Sequence, residues 1–319
     1  MNYRAEKREK ATAPTAIEKF RIIFGFLMMI SGIYFGFFTV GAGESLGVLS
    51  LMASPFVMVT DKVWFITGTS AGIGRELAET ALEKGYKVVA TARKPEVLRD
   101  LAEKYPDTVL TLKLDVTDKK DIAKAIDKTT EKFGRIDVVV NNAGYGLVGA
   151  IEEPSDEQIR AQFETNVFGV LNILREVLPV LRDQKYGHII NVSSGLGFFA
   201  FPSYGYYSAT KFAVQGLSEA LAQETAHLGI KVTIAEPGGT KSSFMKGIVE
   251  PENVLSEAYP TTTNLFETFE KIQEQQLSDP RRLAEILIEI SELENPPLHL
   301  PIGADSYDGI QNQLKKISK

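Results

Sequence analysis

The sequence predicts an α/β fold, a doubly wound parallel sheet forming a single domain behind an N-terminal hydrophobic segment. Three observations carry that expectation. From residue 62 onward, short β-branched runs alternate with helical stretches. Most of those runs are apolar throughout, as strands of a parallel sheet covered on both faces must be. Glycine stands at Gly85, Gly134, Gly187 and Gly229, where helix returns to strand and a left-handed cap is easiest. Alternation of this kind implies right-handed crossovers.

In order, the predicted strands are 63–66, 87–91, 109–114, 136–140, 188–192, 231–235 and a short last run at 298–301. The first strand runs into Thr67–Gly74, a glycine-rich turn, and a helix is expected from near Arg75. No internal repeat or low-complexity linker divides the rest, so residues 60–319 are expected to form one domain.

Of the 319 residues, 44% are apolar and 24% charged, ordinary values for a chain that builds a full core. The formal charge is −6. Residues 1–21 form a basic, polar tail with six Lys/Arg and three Glu, while Glu44 is the only charge in 22–59, which leaves about −8 on 60–319. An acidic domain of this kind is not expected to bind nucleic acid. The chain has no cysteine, which excludes disulfides, thiolate metal sites and a cysteine nucleophile. His188, His227 and His299 lack metal-ligand spacing, so no metal is expected.

Residues 22–43 carry no charge, and at 1.5 Å per residue they make roughly 33 Å of helix, enough to cross a hydrocarbon core. A weaker apolar stretch follows at 45–59, interrupted by Gly47 and Pro55. A membrane anchor over 22–59 is the favoured reading. A cleaved signal peptide ending near Val40-Gly41-Ala42 and translation starting at Met52 or Met58 stand beside it. The basic tail favours a cytoplasmic amino terminus. A single crossing then places the enzyme outside or in a lumen, a hairpin through 45–59 keeps it membrane-associated on the favoured cytoplasmic side, and a start at Met52 or Met58 leaves it cytoplasmic and soluble.

In Thr67-Gly68-Thr69-Ser70-Ala71-Gly72-Ile73-Gly74, glycine permits a tight turn and close approach of backbone to a pyrophosphate. The helix that follows offers free amides and a positive dipole end. Placed after the first strand of an alternating chain, the loop points to a Rossmann-type dinucleotide site. The second strand ends in Thr91-Ala92-Arg93-Lys94, with no carboxylate for a ribose 2′-hydroxyl. Arg93 is suited to a 2′-phosphate, so NADP(H) is expected, with NAD the other option.

With these residues the chain resembles the short-chain dehydrogenase/reductase family, in the branch marked by TGxxxGxG and YxxxK. The TGxxxGxG is Thr67–Gly74, which implies cofactor contacts from Gly68, Thr69, Ser70, Gly72, Ile73 and Gly74. Leu114-Asp115-Val116 resembles the segment that contacts adenine, through Asp115, and Asn141-Asn142-Ala143-Gly144 resembles the NNAG element bordering the cofactor. Asn166, in Thr165-Asn166-Val167, matches the family's catalytic asparagine. Ser194 stands thirteen positions before Tyr207, and Tyr207-Ser208-Ala209-Thr210-Lys211 is a YxxxK. Pro237-Gly238-Gly239-Thr240-Lys241-Ser242 resembles the PGxxxT element beside the nicotinamide, with Ser242 in place of the last threonine. The resemblance further implies that Lys211 grips the nicotinamide ribose, that Asn166 holds a water, and that the chain is a homo-oligomer assembled through helices including 155–181 and 203–228.

The chemistry follows from the side chains. Tyrosine ionises near pH 10, so a phenol working at neutrality needs roughly 4 kcal/mol of extra stabilisation of its anion. Lys211, four residues on along one helix face, is placed to provide it together with the positive charge of oxidised nicotinamide in a dry site. Tyr204 and Tyr206 lack a lysine at that spacing. The expected reaction is hydride transfer between NADP(H) and a carbonyl or secondary alcohol. Ser194 donates to the carbonyl and Tyr207 exchanges the proton. A cofactor-sensing protein without turnover and a 3-ketoacyl-carrier-protein reductase are the alternatives. Substrate walls are expected from Tyr145-Gly146-Leu147, from 195–201 with Phe198, Phe199 and Phe201, and from 242–277 with Phe244, Met245, Tyr259, Leu265 and Phe266. Their aromatic, uncharged character favours an apolar substrate of steroid, retinoid, lipid or xenobiotic type.

Overall fold

A computed structural model describes residues 61–242, 244–260 and 278–319, all within the unit Pro55–Lys319. The basic tail 1–21, the expected anchor 22–59, and Leu265 and Phe266 lie outside the described residues. Among the described residues no helix is long and apolar enough to cross a membrane.

Seven parallel strands form one sheet: β1 Val63–Ile66, β2 Lys87–Ala92, β3 Val109–Lys113, β4 Val138–Asn141, β5 Gly187–Val192, β6 Ile230–Pro237 and β7 His299–Ile302. Their spatial order is β3-β2-β1-β4-β5-β6-β7, so the expected doubly wound sheet is observed. The helices are α1 Gly72–Glu83, α2 Arg99–Lys104, α3 Lys119–Phe133, α4 Asp156–Phe163, α5 Gly169–Gln184, α6 Gly205–Thr225, α7 Pro280–Ser291 and α8 Ala304–Ile317.

Strand alternation divides the core in two. Trp64 and Ile66 of β1 face Leu77 and Ala81 of α1 and Leu283 and Leu287 of α7. Val63 and Phe65 point the other way, toward Ile122 of α3, Ile173 of α5 and Val214 of α6. All four β1 residues are buried, which is why the run reads as continuously apolar.

Two local expectations are corrected. Helix α1 begins at Gly72, three residues before Arg75, so Gly72 and Gly74 lie in its first turn. Gly85, Gly134 and Gly229 do adopt positive φ, but at the return into β5 the left-handed residue is Lys185. Gly187 instead opens the strand, where a Cβ would meet the Leu181 side chain at 2.9 Å. Close packing, not backbone handedness, selects glycine there.

The chain reverses its winding between β1 and β4, which are neighbours in the sheet. Their carboxyl ends mark the switch point, where an open α/β sheet offers its crevice.

Candidate active site

At the switch point the loops after β1 and β4 are tied together. The Thr67 hydroxyl accepts from Asn142 N (3.0 Å) and Ala143 N (3.1 Å). Asn142 Nδ2 donates to Thr67 O (2.9 Å) and Gly68 O (3.0 Å). Gly68 and Gly72 hold φ of 71° and 62°, conformations that a side chain resists. A Cβ at Gly68 would sit 2.9 Å from Ala143 Cα, and one at Gly74 would fall on Gly68 O and Asn142 Nδ2. The result is a backbone-lined cradle at the amino end of α1. It suits a pyrophosphate, which needs free N–H groups and no Cβ in the way.

The candidate catalytic residues come from β5, α6 and the segment before α5. Ser194 follows β5. Its hydroxyl donates to Pro237 O (3.4 Å), accepts from Leu196 N (3.2 Å), and lies close enough to the Tyr207 phenol to favour that group's charged form. Lys211 lies one turn after Tyr207 on α6, its Nζ 5.6 Å from the centroid of the Tyr207 ring and donating to Val192 O (2.8 Å) at the end of β5. Both side chains are buried.

Asn166 sits on a π-helical turn, Glu164–Phe168, between α4 and α5. Such single turns occur often at functional sites. Its Nδ2 donates to Tyr145 O (2.9 Å) and to the Thr210 hydroxyl (3.2 Å), and its Oδ1 accepts from Tyr145 N (3.1 Å). Asn166 therefore pins the loop after β4 to the helix carrying Tyr207 and Lys211. A Cβ on Gly144 would lie 3.0 Å from Asn166 Oδ1 and 3.9 Å from Lys211 Nζ, so glycine keeps that junction open.

Burial dominates the electrostatics of the Tyr207/Lys211 pair. Burial pushes the Tyr207 phenol well above its ordinary value, and the nearby Ser194 hydroxyl offsets only part of that. Burial also draws Lys211 down to about 8. Lysine placement alone does not loosen the phenolic proton here, because desolvation penalises both charged forms. Within the protein's own field, Tyr207 is held as an acid.

The short chain dehydrogenase family model matches residues 62–253. This chain belongs to the short-chain dehydrogenases. Oxidoreductase BOA17 of Botryotinia fuckeliana is 43% identical over 249 residues, covering 77% of this chain and 90% of the relative. A 3-ketodihydrosphingosine reductase of Bacteroides thetaiotaomicron is 35% identical over 244 residues, covering 76% and 88% respectively. A solved short-chain dehydrogenase from Streptomyces avermitilis superposes with a TM-score of 0.75 at 38% identity, over 81% of this chain and 94% of its own. ElxO, solved with NADP bound, reaches a TM-score of 0.65 at 27% identity, over 77% and 99%. As a short-chain dehydrogenase, the chain is an oxidoreductase of the NAD(P)-dependent class acting on CH–OH groups.

One crevice of about 1650 Å³ runs from the cradle of this short-chain dehydrogenase to Ser194, Tyr207 and Lys211. Of the sequence-predicted residues, Gly68, Ser70, Gly72, Ile73, Arg93, Asp115, Asn142, Ala143, Gly144, Ser194, Tyr207, Lys211, Pro237, Gly238, Thr240 and Ser242 line it. Thr69, Gly74 and Asn166 do not. Thr69 is turned inward, its hydroxyl donating to Thr91 O (3.1 Å), Gly74 packs behind the cradle, and Asn166 is buried behind Tyr145. Arg93 is exposed at the rim, and no ion pair among the described residues engages it.

Around Tyr207 the crevice of the dehydrogenase is lined by Tyr145, Phe199, Phe201, Tyr204, Phe244 and Met245. Tyr204 joins this wall although it lacks the lysine spacing, its ring set edge-on to Tyr207 at 6.5 Å. Leu147 and Phe198 fall elsewhere. Leu147 is buried on a bridge to Val249, and Phe198 packs on His299 at 5.4 Å. Tyr259 instead bonds Glu152 (2.6 Å). Sequence reasoning missed Asp305, Ser306 and Gly309 of α8, which also line the crevice. No motif marks them, since they reach the site only through the fold.

Proposed function

We propose that this chain catalyses hydride transfer between NADP(H) and an apolar ketone or the matching secondary alcohol, with Tyr207 as acid/base. One observation carries the reading: the hydroxyls of Ser194 and Tyr207, with Lys211 behind them, converge in the same crevice that begins at the glycine cradle. The residues fit a dinucleotide. The cradle would hold a pyrophosphate, Asp115 and Val116 would border the adenine side, Lys211 would hold the nicotinamide ribose, and Pro237–Ser242 would wall the nicotinamide end. Bound there, the dinucleotide supplies or accepts hydride at nicotinamide C4. Ser194 then donates to the substrate oxygen and orients it, and Tyr207, kept protonated by burial, delivers the proton that the reduced oxygen needs. Asn166 acts at one remove, by fixing Tyr145 against α6.

The apolar preference is supported by the aromatic wall of Phe199, Phe201, Tyr204 and Phe244, and by the relative named for reducing 3-ketodihydrosphingosine. NADPH consumption across a panel of ketones tests it. Long-chain or polycyclic ketones are expected to turn over, and a screen in which only small charged ketones react overturns the preference.

Arg93 supports NADP(H) over NAD(H), as an exposed guanidinium at the end of β2 where a 2′-phosphate is met. Arg93→Asp is expected to lower the ratio of kcat/KM for NADPH over NADH by on the order of 100-fold, from loss of a charge-assisted contact and gain of repulsion. An unchanged ratio contradicts the assignment.

Homo-oligomerisation is proposed through α4–α6, where Phe168 and Phe212 remain 47% and 46% exposed, unusual for phenylalanine without a covering surface. Membrane association through residues 22–59 is proposed from the uncharged run 22–43, and the cytoplasmic side from the basic tail 1–21 with a hairpin through 45–59. Recovery of the full-length chain in a carbonate-washed membrane fraction checks it.

A further inference from the structure

The first turn of α8 grips the two loops that carry the reaction chemistry. Gly303, at φ 100°, turns the chain from β7 into α8. Ile302 O accepts from Gly238 N (2.9 Å). Asp305 Oδ2 accepts from Gly239 N (2.6 Å), and a Cβ on Gly238 would fall on the Asp305 carboxylate. Next to it, the Ser306 hydroxyl donates to Glu236 O (2.7 Å). A Cβ on Gly195 would meet that same hydroxyl at 2.8 Å. Thus α8 touches both Gly195, adjoining Ser194, and the Glu236–Gly239 turn, to which Ser194 is itself bonded through Pro237 O.

We propose that Asp305 is a positioning residue, its carboxylate fixing the Gly238–Gly239 turn and so setting the wall of the crevice at the nicotinamide end. Two consecutive glycines have no side chain with which to hold their own conformation. A charge-assisted hydrogen bond to the second of them provides the missing restraint, and it does so from an element remote in sequence. The proposal rests on the dinucleotide reading given above. It goes beyond it by assigning a role to a residue outside every motif of the chain.

The competing explanation is structural. Asp305 stands in the first turn of α8, where any carboxylate favours the helix through its dipole. Two variants separate the readings. Asp305→Ala removes the acceptor and the charge, whereas Asp305→Asn removes the charge and keeps a carbonyl acceptor for Gly239 N–H. NADPH binding is followed by fluorescence titration of the purified full-length protein, and unfolding by circular dichroism.

Asp305→Ala is expected to weaken NADPH binding about tenfold, the loss typical of a charge-assisted hydrogen bond. Asp305→Asn is expected to stay within about threefold of the parent, with a Tm matching that of Asp305→Ala, because both lose the same dipole interaction. Equal NADPH affinity in the parent and Asp305→Ala overturns the proposal. So does an asparagine variant as weak as the alanine one with a matching loss of Tm, which assigns Asp305 to helix stability. A parent protein that binds neither dinucleotide overturns the proposed function and this inference with it, an outcome distinct from equal binding.

Discussion

Tyr207→Phe is expected to cut ketone reduction by about a thousandfold while leaving NADPH affinity within about threefold of the parent. The size follows from removing a positioned proton donor, which usually contributes between a hundredfold and ten-thousandfold. The selectivity follows from the packing. Phenylalanine keeps the ring that meets Tyr204 at 6.5 Å and Phe244 at 5.6 Å, so the wall retains its shape. What disappears is the hydroxyl that lines the crevice beside Ser194. NADPH consumption and NADPH fluorescence titration on the same preparation check both halves. Retention of more than a tenth of the parent rate means that another group delivers the proton.

Lys211 sets the pH dependence of the same step. Burial lowers it to about 8, so its ammonium is present below that pH and is lost above it. The phenol, pushed the other way by burial, stays protonated throughout. The group that titrates near neutrality is therefore the lysine, and kcat/KM for reduction is expected to fall as pH rises through about 8, since that quantity reports ionisations of the free enzyme. A profile flat to pH 10 contradicts the assignment.

Much of this site is legible before any coordinates, and the reason is physical. The cradle and the Tyr207/Lys211 pair are local, each held within one turn or helix, so spacing in the chain stands for spacing in space. The doubly wound sheet is legible for a related reason: β1 buries all four side chains, and such runs stand out from the helices between them. Properties that arise between elements are not legible. Thr69 belongs to the cradle motif, yet its hydroxyl serves Thr91 O on β2 and not the crevice. The π turn that aims Asn166 at Tyr145 and Thr210 leaves no periodic signature. Desolvation of Tyr207 depends on walls from Tyr204 and Phe244, which only the packing of separate elements brings together. Asp305 enters the crevice because β7 lies beside β6, a pairing of strands more than sixty residues apart.

Gly74→Ala is expected to remove measurable NADPH binding, by at least about a hundredfold, and to lower stability by about 2–3 kcal/mol. The added methyl falls on Gly68 O and Asn142 Nδ2, the partners that join the loops after β1 and β4. Relief requires the cradle to move off α1, which strains the positive-φ Gly68 and breaks one or both Asn142 bonds at about 1 kcal/mol each. Overpacking adds roughly 1–3 kcal/mol, whereas alanine's better helix propensity returns at most about 1 kcal/mol, so the steric effect wins. Gly216→Ala supplies the opposite sign. Gly216 lies within α6 with nothing inside 4 Å of an added Cβ, so the same methyl meets open space and is expected to stabilise by about 0.5–1 kcal/mol with NADPH affinity unchanged. Thermal unfolding and NADPH titration of the two variants side by side check the contrast. Comparable binding by both would mean that the Thr67–Gly74 turn is ordinary strand–helix packing and not a phosphate cradle.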